Sequence, residues 1–121
     1  MFWLASWKVK FGLVGRFDAF GGSMEPVIPS GSRVTIEPVA VERLELGDIV
    51  AVKVGDETML HLVKAIDRDA RRVEIAGTSG PSNGWASFEG VYAICTQIQG
   101  KAVPGAEGKR RRRFARGRPH L

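Results

Sequence analysis

Cysteine is almost missing from this chain: Cys95 is the only one in 121 residues. A lone thiol excludes an internal disulfide and a cysteine-built zinc site. Long apolar runs are missing too. No stretch approaches the ~18 uncharged residues that a bilayer-spanning helix needs, so no transmembrane segment is expected. Histidine is scarce, with His61 in the body and His120 near the end. A helical apolar period of useful length does not occur. Neither a metal nor a cofactor is expected.

What is present is enough for an ordered core. Hydrophobic residues make up 44% of the chain and charged residues 26%, which separates the body from disordered compositions. The length fits one domain, burying roughly 65% of its unfolded surface. The net charge of +5 is unevenly distributed. Residues 101–121 hold eight basic residues against Glu107, a net of +7, while residues 1–100 hold ten basic against twelve acidic, a net of −2. The basic excess therefore describes an appendage. The chain reads as a domain over 1–102 followed by a disordered, Arg-rich tail over 103–121.

The first 20 residues carry two of the three tryptophans and four of the six phenylalanines. Lys8, Lys10, Arg16 and Asp18 interrupt them, unlike a cleavable signal peptide with a clean apolar centre. Residues 7–13 alternate apolar and polar, which predicts a lead-in strand packed on the core. The other reading is an aromatic segment at a membrane interface, where Trp and Phe beside Lys are favourable.

Strand signals follow in series. Arg33–Glu37 alternates and is stopped by Pro38. Ile49–Val54 is rich in β-branched residues, Gly55-Asp56 supplies a hairpin turn, and Thr58–Ile66 answers it. Arg71–Ala76 predicts another strand, TSGPSNGW a long loop, and Val91–Ile98 a last strand. The fold class is mostly β, a compact antiparallel sheet or partial barrel of six or seven strands.

Two glycines precede Ser23, and Pro26 follows three residues later, in FGGSMEPVIPSGSRVTIEP. Glycines permit a tight turn close to a substrate, and proline stiffens its exit. A serine at such a bend presents its hydroxyl outward, with its own N–H free to stabilise an oxyanion. His61 is the body's only side chain with an ordinary pKa near neutrality.

In this order the features resemble the LexA/signal-peptidase clan of serine peptidases. Gly21-Gly22-Ser23-Met24-Glu25-Pro26 is similar to the clan's nucleophile box. LELGDIVAVKV is similar to its second box, MLHLVKAIDRD falls where the clan places its base, and VEIAGTSGPSNGW with VYAICTQIQGK is similar to its closing region. The resemblance spans residues 15–101. It implies the catalytic-core fold of LexA and signal peptidase, a Ser23 nucleophile, and a peptide substrate bound as an added strand. It also implies small residues beside the cut bond. His61 takes the base position of the histidine-type signal peptidases, and its neutral imidazole accepts a proton near pH 7, with an activity limb near pH 6–7. Lys64 is the alternative base. On an unbroken strand it faces away from His61, so only one of the two meets Ser23.

Three departures qualify the pattern. Leu62 follows His61 where the histidine type has Arg. Gly21 stands where bacterial signal peptidases have an oxyanion serine, leaving only the Ser23 N–H. The closing region has no aspartate to orient the base, so Ser82 or Asn83 is the neutral substitute. Met24 and Pro26 are the expected groove residues.

Two functions follow. One is a Ser-His endopeptidase acting in trans on a peptide or protein. The other is a catalytically inactive peptidase fold that binds an anionic partner through its tail. Arg110–Arg113 attract any polyanion. An anionic membrane, joined by the N-terminal aromatics, is preferred to nucleic acid. The expected location is the cytoplasm, with peripheral membrane contact.

Overall fold

The computed structural model describes residues 14–55 and 57–111. Eight strands form one antiparallel half-barrel sheet, and the described residues contain no α-helix. They are β1 (Gly15–Ala19), β2 (Ser32–Pro38), β3 (Ile49–Val54), β4 (Glu57–Asp67), β5 (Arg72–Ala76), β6 (Ser82–Ser87), β7 (Val91–Ile98) and β8 (Lys101–Ala102). Along the sheet the order is β1-β2-β7-β3-β4-β5-β6, with the short β8 added to β7.

The two-residue period of a strand explains how one sheet serves two cores. In β3, Ile49 and Ala51 face one cluster, with Phe17, Met24, Ile28, Val34, Ile36 and Cys95. Val50 and Val52 face the other, with Leu44, Val63, Val73, Ile75 and Ile94. A strand segment buried on both faces reads as a continuous apolar run, as Ile49–Val52 does before the exposed Lys53. In the first cluster Cys95 is fully buried, and burial pushes its thiol up to about 12. It is a core residue, with no thiolate for chemistry.

The strand predicted over 7–13 lies outside the described residues, and the first described strand, β1, begins at Gly15. Two other expectations change. The second half of the expected TSGPSNGW loop is the start of β6, where Trp85 pairs with Glu74 and the Arg72 guanidinium lies 4.5 Å from the indole centroid. That cross-strand pairing has no signature in a Gly- and Ser-rich run.

The tail is the second. Residues 103–111 are not disordered but pack as a strap. Ala106 is buried and Val103 packs against both clusters. Val39 bridges Arg110, the Ala40 N–H donates to the Lys109 carbonyl at 2.8 Å, and the Arg111 N–H to that of Pro38 at 2.8 Å. Lys109 Nζ lies 2.6 Å from Asp48 Oδ1 and 2.9 Å from Glu45 Oε1. Burial disfavours its charge, but the hydrogen bonds and charges of Asp48 and Glu45 outweigh burial and raise its pKa. Residues 112–121 lie outside the described residues.

Candidate active site

Ser23 sits on a loop between β1 and β2, and the loop is braced from within. Its neck is closed by the Gly31 N–H donating to the Ala19 carbonyl at 2.5 Å. The Gly21 N–H donates to Ser30 Oγ at 3.0 Å, and the Ser30 N–H to Glu25 Oε2 at 3.2 Å. The Ile28 N–H donates to the Met24 carbonyl at 2.8 Å. Met24 and Ile28 are buried in the core, while Ser23 is exposed. Gly21 has φ of +113°, a conformation that side chains rarely adopt. The apolar residues pin the loop and leave the serine at the surface.

His61 comes from β4. It pairs with Val50 and is 8% exposed. Its Nδ1 is buried without a hydrogen-bond partner, and burial lowers its pKa below the ordinary 6.5. The imidazole is therefore neutral at pH 7.

Ser23 and His61 line one cavity of about 500 Å³, a size typical of ligand sites, but His61 reaches it from the edge of β4, on the strand face that it shares with its partner Val50 and that is turned to the second cluster. Phe17, Met24, Ile28 and Leu60 give it an apolar wall. Its two flanks are strand edges. Among the described strands Thr58–His61 of β4 pair with β3 alone, because β5 joins β4 from Leu62 onward; β1, on the other flank, pairs with β2. Four antiparallel pairings separate β1 from β4 along the sheet, so the two edges run in the same direction. A peptide laid along Thr58–His61 meets backbone groups of β4 that no described strand pairs on that side.

The other expected site residues fall less centrally. Met24 lines the cavity, but Pro26 is exposed and does not. Lys64 does not line it either. A bulge between Val63 and Ala65 interrupts the strand alternation there, and the exposed Lys64 donates from Nζ to the Gly80 carbonyl at 2.8 Å. Neither Ser82 nor Asn83 supplies a hydrogen bond to Nδ1, and Ser82 Oγ accepts from the Gly84 N–H at 3.1 Å instead.

Sequence reasoning missed the segment that touches the serine. Gly77 approaches Ser23 so closely that a Cβ at position 77 would overlap the Ser23 carbonyl oxygen and lie 3.3 Å from the Ser23 Cβ. The Thr78 N–H donates to the Ser23 carbonyl at 2.8 Å. Thr78 Oγ1 lies 3.2 Å from that same carbonyl oxygen and also contacts the Glu25 carbonyl. A glycine before a polar residue at a strand end was the only hint. Comparison with known proteins finds no matching family model, curated protein or solved structure.

Proposed function

We propose that the chain is a serine endopeptidase of the LexA/signal-peptidase type, with Ser23 as nucleophile and His61 as general base. The observation that carries this reading is the shared cavity: two residues 38 apart in sequence, one on the β1–β2 loop and one on β4, line the same space. The substrate is an extended peptide that enters in trans and adds as a strand to the Thr58–His61 edge of β4. The apolar wall favours uncharged anchoring side chains, small ones beside the cut bond.

In the chemical step the neutral imidazole takes the Ser23 Oγ proton as Oγ attacks the peptide carbonyl carbon. The Ser23 N–H stabilises the oxyanion. The imidazolium then gives its proton to the departing amine nitrogen as the C–N bond breaks, leaving an ester on Ser23. Water, activated by the same base, hydrolyses that ester and regenerates the hydroxyl. Ser23 makes no hydrogen bond to His61 Nδ1, which is unpartnered, so the dyad forms its hydrogen bond as substrate fills the cavity.

A fluorophosphonate probe tests the reading. Wild-type protein labels at Ser23, Ser23→Ala does not label, and His61→Ala labels at least about 100-fold more slowly. A folded wild type that fails to label overturns the proposal. The missing carboxylate partner of His61 favours a second reading in that event, a peptide-binding groove that does not cut.

Contact with an anionic membrane through Arg110–Arg113 remains part of the proposal. Arg110 is partly committed to the body, since its Nη1 lies 3.3 Å from Glu37 Oε1. No helix among the described residues is long and apolar enough to cross a membrane.

A further inference from the structure

The two halves of the dyad belong to distant parts of the sheet. From β1, which leads into the serine loop, the hydrogen-bonded path to β4 runs through β2, β7 and β3. Small changes in curl along that path would accumulate as displacement of Ser23 from His61. A much shorter link exists on the open side. Leu62, next to His61, pairs with Ala76, the last residue of β5. The chain then continues directly into Gly77 and Thr78, which meet the serine loop.

Thr78 joins that loop at two points. Its backbone N–H donates to the Ser23 carbonyl at 2.8 Å, and its side-chain Oγ1 lies against the carbonyls of Ser23 and Glu25. The absence of a Cβ at Gly77 permits the approach. The turn carrying the staple is itself closed, with the Gly80 N–H directed at the Gly77 carbonyl (3.3 Å) and Lys64 Nζ donating to the Gly80 carbonyl. Lys64 thus ties the same turn back to β4.

We infer that Thr78 is a positioning residue: its hydroxyl staples the serine loop to the β4–β5 hairpin and so sets the separation of Ser23 from His61. The inference rests on the peptidase reading. Thr78 touches neither the hydroxyl nor the imidazole in this role. It acts by holding the peptide groups on the C-terminal side of the serine, limiting rotation of the residue that carries Oγ. Misplacement of a reacting group by about 1 Å can cost 10²-fold in rate, so loss of the hydroxyl should appear in the reactive step rather than in binding.

Saturation kinetics of fluorophosphonate labelling separate the two. Thr78→Val keeps the shape of threonine without the hydroxyl, and Thr78→Ser keeps the hydroxyl without the methyl. The expected result is a kinact roughly 10- to 100-fold lower in Thr78→Val with KI within about twofold of wild type. Thr78→Ser should restore kinact to within about threefold, and the pH limb set by His61 should not move. A Thr78→Val protein that labels at the wild-type kinact overturns the inference. So does a Thr78→Ser protein as impaired as Thr78→Val, and this comparison stands even if the valine variant does not fold, with Thr78→Ser then read against wild type alone. Failure of wild type itself to label would remove the peptidase reading, a result distinct from labelling that is indifferent to Thr78.

Discussion

Replacing Lys109 by methionine should destabilise the protein by about 3 kcal/mol, because it leaves a carboxylate without its cation. The Asp48 side chain is 10% exposed and that of Lys109 14%, so water replaces little of what is lost. Glu45, 73% exposed in its side chain, adds little, because water screens its charge. Asp48 is not wholly abandoned, since its Oδ2 still accepts the Glu45 N–H at 2.8 Å. That places the loss at the low end of values for breaking a buried pair. Unfolding entropies near 2.1 cal/mol/K per residue make 1 kcal/mol worth roughly 4 °C in a chain of this size, so Tm should fall by about 12 °C. Denaturant melts give the free energy, and hydrogen exchange gives the location. The amides of Ala40 and Arg111, which donate to the Lys109 and Pro38 carbonyls, should lose protection. Asp48→Asn added to Lys109→Met should recover part of the loss, since a neutral amide is cheaper to leave unpaired, giving a coupling of at least about 1 kcal/mol. A Lys109→Met protein within 1 kcal/mol of wild type, with both amides still protected, would refute the strap.

Two further outcomes follow from the site. Burial holds the folded pKa of His61 below 6.5, so the acid limb of labelling should lie below pH 6.5 rather than across neutrality. In the window between folded and unfolded pKa the unfolded chain binds more protons, so His61's contribution to stability is complete above pH 6.5 and is lost as pH falls through that window; an NMR titration placing the imidazole above 6.5 contradicts both. Gly77→Ala inserts a methyl against the Ser23 carbonyl, and relieving the overlap should cost about 1–3 kcal/mol and roughly 100-fold in kinact. Labelling at the wild-type rate would show that the serine loop does not depend on that approach.

Much of the sheet was legible because its causes are local. Ile49–Val54, the Gly55 turn and the answering strand to Asp67 are set by β-branched content and by a glycine at φ of +59°. Ser82–Ser87 was illegible for the opposite reason. Its pairing depends on β5 and on the stacking of Trp85 with Arg72, a partner ten or more residues away. The strap was misread because composition counts its charges without locating their partners. Lys109 and Arg110 belong to a basic run, yet Asp48, Glu45 and Glu37 meet them across the fold.

The site divides along the same line. Sequence alone identified Ser23 on a glycine-bounded turn and His61 as the body's only neutral-range base, since these are properties of residue type and immediate neighbours. It also determined that a single cysteine leaves no disulfide within these 121 residues. Tertiary structure decided that the serine and histidine share a cavity, that Lys64 is bound to the Gly80 carbonyl outside it, and that Gly77 and Thr78 close on the serine loop. Those facts depend on how far the sheet curls and where its bulges fall, and both are products of packing summed over all strands rather than of any one segment.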